Sequence, residues 1–499
     1  TIYEKANNVL LLSIIEAIGM NYQKEMPGYA LELASSMELI YFDIYRSGEF
    51  ISNPTKELLM FSLPIACTLI LQSFYNMADT LIIGNFVGDT AMGAVGTAGT
   101  VSSVLLMLVY GLSTGMGVVV SQFIGAKDYK NVKKSMMTAM YIVIGVSLLM
   151  TVIGISFSPA ILRMMHVEGE TLEMAVVYLR IIFAGTIAVA FYNMGNVLSR
   201  SLGDSVTPMI VLIITAIMNI ALNILFVTVF HMKTDGVAYA TVLANIISAI
   251  SCWTILWRKT EAIHPDAEEL KPDKEAAKLI LKIGIPATLQ SSTMTIGALL
   301  IQTMINDFTT PTLPIMAAFA AATKVEQLIA YPPGGVSDGM QTFAGQNVGA
   351  GKFDRVGKGL ASCFKIIAVY SIFSACVLGF GGRFLMGLFT STETTILIGS
   401  YYLIATAIGI FFNGIDYTFR FTLTGAGDAT ASTVLSVIGL VMRVGIAYVL
   451  AYFTPLGYIG IFIGTPASWA LNSIFGMIRY KSGKWKEKCL IKQREVVEG

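Results

Sequence analysis

Charge is what this chain has least of. Of its 499 residues only 13% are Asp, Glu, Lys or Arg, about half of the ~25% usual in a soluble protein. Hydrophobic residues make up 55%, and the mean hydropathy is +0.70. Together these point to lipid as the solvent. The net charge of +1 gives no basic footprint for a nucleic-acid partner. Cysteine is sparse and unpaired in pattern: Cys67, Cys252, Cys363 and Cys376 lie in apolar runs and Cys489 in a basic tail. With no CxxC spacing, neither a disulfide framework nor a zinc site is indicated. His166, His231 and His264 stand alone, so no metal cluster is expected. Strand-like alternation is missing, which argues against a β-barrel. There is no Walker sequence, and GAVGTAG at 93–99 lies in an apolar run with no strand before it, which separates it from a nucleotide-binding loop. No nucleophile–base cluster is visible, so no enzyme activity and no cofactor are expected.

What remains is long apolar runs. A spanning helix needs roughly 20 mainly apolar residues, and twelve such runs follow one another, from 57–84 through 172–199 to 456–478. The expected fold is an all-α integral membrane protein with twelve transmembrane helices. The charged break WRKTEAIHPDAEELKPDKEAAK divides the runs six and six. Lys127, Lys130, Lys133 and Lys134 follow span two, and Lys352, Arg355 and Lys358 follow span eight, against Arg163, Lys233 and Arg383 in the opposite loops. The positive-inside rule then places both termini in the cytoplasm of a multi-pass inner (plasma) membrane protein. The expected layout is an N-terminal extension at 1–52, lobes at 53–258 and 275–480 joined by a linker at 259–274, and a basic tail at 481–499. The run NNVLLLSIIEAIGM in the extension carries Glu16, is too short to span, and lacks the marks of a signal peptide.

The chain also repeats itself. At a shift of 224 residues Ser113, Gly115 and Met116 meet Ser337, Gly339 and Met340, and Gln122–Ala126 meets Gln346–Ala350. Gly203-Asp204 likewise meets Gly427-Asp428, Gly236 meets Gly460, and Thr241 meets Thr465, while Pro64 meets Pro286 at 222. With six spans per copy both copies enter the membrane in the same sense, which predicts two parallel six-helix lobes, a transporter architecture.

One acidic residue interrupts the first span. Gln72, Asn76 and Asp79 are spaced four and three apart, a single stripe on a helix. A charged Asp near the bilayer centre costs on the order of 3 kcal/mol or more, so it is expected to face the bundle interior and find partners. Span five offers Asn219 and Asn223 at i, i+4, and span six offers Thr241. One carboxylate with neutral oxygens suits a hard cation, and the same carboxylate could exchange a proton.

The segments NPTKELLMFSLPIACTLILQSFYNMADTLIIGNFVG, GLSTGMGVVVSQFIGAKD, SLGDSVTP, MNIALNILF, QTFAGQNVGAGK and TGAGDAT, in this order, resemble the multidrug and toxic compound extrusion (MATE) family from about Asn53 to Tyr480. The resemblance implies an antiporter that exchanges small amphiphilic organic cations and other drugs for Na⁺ or H⁺ by alternating access, acting as a monomer. It implies an amino-lobe cation site at Asp79, Asn219, Asn223 and Thr241, with Gln72 and Tyr178 nearby; Na⁺ would bind at Asp79. Some members carry Asp where this chain has Asn223, and others place acids where it has Met294 and Asn413. Substrate or gating roles are expected for Pro64, which matches the helix that bends in the family, for Lys324 and Glu326, for Asp416 and Arg420 at i, i+4, and for Arg443. In the repeat Asp79 falls opposite Ile301, Asn219 opposite Arg443 and Asn223 opposite Ala447, so the scaffold is duplicated but the site is not. A second reading is a flippase for lipid-linked oligosaccharides from the wider superfamily.

Overall fold

Apolar runs become helices here because a backbone in lipid must satisfy its own hydrogen bonds. The computed structural model describes residues 54–310 and 312–491, and the expected extension at 1–52 and the last tail residues lie outside them. The helices are α1 (Pro54–Phe86), α2 (Asp89–Gly125), α3 (Tyr129–Met164), α4 (Gly169–Ala184), α5 (Thr186–Ser201), α6 (Val206–Ile224), α7 (Thr234–Lys259), α8 (Lys274–Asp307), α9 (Ile315–Gly349), α10 (Phe353–Gly387), α11 (Glu393–Gly425), α12 (Ala429–Tyr452) and α13 (Tyr458–Lys481). Three of the starts carry an acidic cap. Asp128 accepts from the Asn131 amide at the head of α3, Asp204 accepts from the Val206 and Thr207 amides at the head of α6, and Asp273 accepts from Ala276 in α8.

Among the described residues nine helices are long and apolar enough to cross a membrane, and the bent pair α4–α5 makes ten. That is two fewer than the twelve expected runs. The difference lies in α8 and α9, which have the length, 34 and 35 residues, but give up apolarity to polar side chains that line a cavity described below. Phe380 on α10, 93% exposed, lies on a face with Val369, Ile372 and Phe384, an apolar surface suited to lipid.

The prolines do not interrupt their helices. α1 runs on through Pro64 and α9 through Pro332 and Pro333, with the Thr68 hydroxyl bonded to the Pro64 carbonyl and that of Ser337 to the Pro333 carbonyl. The break falls instead inside the expected span 172–199, where α4 and α5 meet at Gly185 with a bend of 51°. A Cβ at Gly185 would run into the Val242 side chain at 2.6 Å, so α7 packs closely at the bend.

The helices group into two compact units, one comprising 71–120 and 128–284, the other 54–70, 121–127 and 285–491 among the described residues. In the first, α3 packs on α4 and α5, α7 on α4 and α5, and α6 on α7. In the second, α10 packs on α11, α11 on α13, and α12 on α13, which is the same pattern displaced by one repeat. The repeat is legible in turns as well: Gly203 and Gly427 both take left-handed backbone, at φ 93° and 95°. Close glycine contacts recur too. In the first unit Gly115 admits the backbone of Ile280 and Gly284, and in the second Gly339 admits Ser62.

The second unit contains the crossing of α2 and α9. A Cβ on Gly125 would overlap the Gln346 carbonyl, and one on Gly349 would overlap the Gln122 carbonyl, so the two QxxGA motifs seat each other reciprocally. The tail folds back over this crossing as far as Ile491: Trp485 is 2% exposed, and the Leu490 amide donates to the Gln122 side chain at 2.9 Å. The charged linker is also ordered. Lys133 pairs with Glu269 at 3.5 Å, and Thr138 accepts from the Asp273 amide, tying the linker to α3 within the first unit.

Candidate functional site

In the first unit Asp79 of α1 is 9% exposed, and Asn219 and Asn223 of α6 are fully buried. The i, i+4 spacing on α6 turns both amides to one side. The Asn223 amide nitrogen donates to Asp79 Oδ1 at 2.6 Å and to Asn219 Oδ1 at 2.9 Å. Two residues later the helix opens into a π-helical stretch at Leu225–Val229, a distortion often found beside functional groups. Tyr178 of α4 lies in the apolar cluster that includes Ile83, Leu179 and Val237, close enough to feel the Asp79 charge.

Among the described residues, three buried polar atoms here have no hydrogen-bond partner: Asn219 Nδ2, Asn223 Oδ1 and Thr241 Oγ1. Orphaned buried groups cost about 1–3 kcal/mol each, so three in one cluster mark a place prepared for something else. Two of them are oxygens, and with the carboxylate they form a donor set that fits a hard cation. No group of three or more His, Cys, Asp or Glu suited to a metal ion occurs among the described residues.

Of the expected residues, the structure brings together Asp79, Asn219 and Asn223, with Tyr178 and Thr241 beside them. Gln72 is left out: it and Asn76 are exposed. The half-buried partner on α1 is Tyr75, which neighbours both Asp79 and Thr241. Its spacing of four from Asp79 could have named it, because Asp79 sits one full turn from Tyr75 on the same face.

The second unit holds a half-open cavity of about 770 Å³, within the range of small-molecule sites. Glu326, Asp416, Arg420 and Arg443 line it, as do the neutral Met294 and Asn413. Lys324 is exposed and does not line it, because two residues along a helix turn a side chain to the far face. Arg420 donates to Asp416 at 2.7 Å and to Ser436 at 3.0 Å, and stands 4.6 Å over the Tyr417 ring. Asn472 fills the other Asp416 oxygen at 2.7 Å, so both carboxylate oxygens are bonded, while Arg420 Nε has no partner among the described residues. Pro64 lies outside this lining.

A bundle of long apolar helices, crossing the membrane many times, with a carboxylate and amides buried between spans and a second charged cavity, has the build of a membrane transporter. A profile of the MatE family matches residues 64–225 and 286–449, one match per repeat, and the chain belongs to that family. It is 28% identical over 443 residues, 89% of this chain and 98% of the relative, to the probable multidrug resistance protein YpnP of Bacillus subtilis. It is 23% identical over 397 residues, 79% of this chain and 87% of the relative, to the multidrug export protein MepA of Staphylococcus aureus. Its fold matches a MATE crystal structure in complex with MaL6 at a TM-score of 0.81, with 23% identity, over 87% of this chain and 98% of that one. It also matches an outward-facing multidrug resistance MATE transporter of the MOP superfamily at 0.81 and 22% identity, over 87% and 97%.

Proposed function

We propose that this protein exports amphiphilic drugs, organic cations among them, in exchange for Na⁺ or H⁺, with Asp79 as the coupling group. The observation that carries this reading is the buried Asp79 carboxylate, bonded to Asn223 amid polar atoms that lack partners. Membership of the MatE family, and relatives named for multidrug resistance and export, support drug export as the task.

The coupling chemistry follows from charge. An ionised Asp in the membrane costs about 3 kcal/mol or more, and a bound Na⁺ or proton relieves that cost. Asp79 supplies the anionic ligand, while Asn223 Oδ1 and Thr241 Oγ1 are oxygens that can complete a Na⁺ shell. Asn219 holds Asn223 in register through its own oxygen. Alternate occupancy of one carboxylate by ion or proton ties the export of drug to the ion gradient.

In this reading the repeat builds twelve spans in two parallel lobes, residues 53–258 and 275–480, which rock to expose the cargo to alternate sides. The lysine-rich loops set both termini and the 259–274 linker in the cytoplasm of the plasma membrane, and one copy of the chain suffices. Ethidium efflux from proteoliposomes, under a Na⁺ gradient and a H⁺ gradient applied separately, tests the proposal. One gradient should drive efflux that stops when it is collapsed; efflux indifferent to both would refute coupling.

A further inference from the structure

The segments that follow the two repeats fold back alike but carry opposite charge. In the first unit the linker lies on α3, and its acids answer the α3 lysines: Glu269 pairs with Lys133 at 3.5 Å and Glu268 with Lys130 at 3.8 Å. Its Leu270 carbonyl takes the Tyr141 hydroxyl at 3.0 Å. In the second unit the tail lies on α10, the counterpart of α3. Trp485 packs on Phe353 with ring centroids 5.9 Å apart, and a Cβ on Gly357 would stand 3.3 Å from the Tyr480 hydroxyl. The start of α10 and the end of α13 therefore meet. Here the returning segment is basic: Lys484, Lys486 and Lys488 are exposed. On α10, Lys358 stands where the repeat has Lys134, and Lys365 where it has Tyr141; both are exposed. The acids at hand are Asp354 and Glu487, and among the described residues neither pairs with any of these lysines.

The same lysines end two apolar stripes that face outward. On α10, Lys358, Lys365, Val369 and Ile372 are all exposed, and their spacings of seven, four and three put them on one helix face. On α13, Leu471, Ile474, Ile478 and Lys481 are exposed at spacings of three, four and three, again one face. Lys365 stands twelve residues inside α10, about 18 Å along the axis. A charge that far along a lipid-facing stripe is costly unless its long stem lifts the ammonium to a headgroup. Lys486 is held flat, its Nζ 6.0 Å from the Phe353 ring centroid. Two apolar faces thus lead to one gathering of unanswered ammonium groups. Acyl chains suit the faces, and a phosphate suits the ammoniums.

We propose that the edge where α10, α13 and the tail meet is a binding site for an anionic phospholipid. Lys358, Lys365, Lys481 and Lys484 hold its phosphate, and its chains lie along the α10 and α13 stripes. The site stands apart from the cavity and from the Asp79 cluster, and it does not depend on what the protein exports.

Native mass spectrometry of the purified, delipidated full-length protein reads the binding directly, with palmitoyl-oleoyl phosphatidylglycerol set against the phosphatidylcholine of identical chains. The wild-type protein should bind the anionic lipid more tightly. The fourfold variant Lys358→Gln, Lys365→Gln, Lys481→Gln, Lys484→Gln should weaken it by about tenfold or more, as several lysines at a lipid phosphate imply, and should leave the zwitterionic lipid unaffected. The corresponding fourfold Lys→Arg variant keeps the charges and should bind as the wild type does. A control with Lys127→Gln, Lys130→Gln, Lys271→Gln and Lys274→Gln loses the same charge elsewhere. It should change phosphatidylglycerol binding by less than about twofold, because distant exposed charges are screened. sn-Glycerol 3-phosphate in excess should not displace the lipid, since it lacks the chains. Equal affinity of the wild type for both lipids, unchanged binding in the first Gln variant, or an equal loss in the control overturns the proposal. Displacement by glycerol phosphate also overturns it, because the site would then take soluble phosphates rather than lipid.

Discussion

Arg420 and Arg443 stand on adjacent helices of one unit, and the structure holds them differently. The Arg420–Asp416 pair has side chains 6% and 4% exposed, and Asp416 is also held by Asn472 at 2.7 Å. Replacing Arg420 by Met leaves the Asp416 charge buried with one amide donor. Breaking a buried pair in this way costs about 3–5 kcal/mol, and the surviving Asn472 bond points to the lower end. Removing both charges, as Arg420→Met with Asp416→Leu, should recover most of the loss, because an apolar replacement of a buried pair is often close to neutral. Arg443→Gln, which breaks no ion pair and only the bond to Thr465, should cost less than about 1 kcal/mol, the size of one ordinary hydrogen bond. Equilibrium unfolding by SDS in mixed micelles reads all four proteins. If the double variant falls by the sum of its single losses, or if Arg443→Gln costs as much as Arg420→Met, the division between a paired and an unpaired arginine is wrong.

Other expectations follow from single contacts. Gly349→Ala should sharply reduce folded protein, since its Cβ would overlap the Gln122 carbonyl, whereas Gly93→Ala, with open space around it, should express normally; comparable yields on size-exclusion chromatography would contradict this. Asn219→Ala and Asn223→Ala should each weaken gradient-driven export less than loss of the Asp79 charge, because each removes a neutral group, and Gln72→Ala should leave it near wild type since that side chain is exposed. Cys489, whose thiol burial pushes above its usual value of 9.0, should react slowly with an impermeant maleimide at neutral pH. Its rate should climb as pH rises past that value, because only the thiolate attacks. It should react after lysis and not in intact cells, and labelling from outside would reverse the orientation.

The membrane class and the repeat could be read from residues alone because each is a matter of period or composition, whereas the grouping around Asp79 came from the resemblance to the MATE family. Asn219 and Asn223 declare themselves by a spacing of four, and Gly203 and Gly427 by their shared place in the repeat. The stripe that proposed Gln72 failed because a helix face is wide, and only packing decides which residues on it are covered; Tyr75 is half-buried and Gln72 exposed. The bend at Gly185 was hidden for a similar reason, since the residue packed against that glycine is Val242, 57 residues further along. Pro64, Pro332 and Pro333 all lie inside helices that continue through them, α1 and α9. The cavity was hidden in two helices whose polar content lowers their apolarity, so the feature that weakens them as spans is the feature that lines the site.

Asp79→Asn tests the coupling claim most directly. The substitution keeps size and hydrogen-bonding capacity but removes the charge, so the protein should fold and still bind ethidium. In proteoliposomes with matched protein content and an imposed Na⁺ or H⁺ gradient, ethidium export should fall to the level seen without a gradient. Export at the wild-type rate under the same gradient would show that the Asp79 carboxylate only holds helices together, and that coupling resides elsewhere.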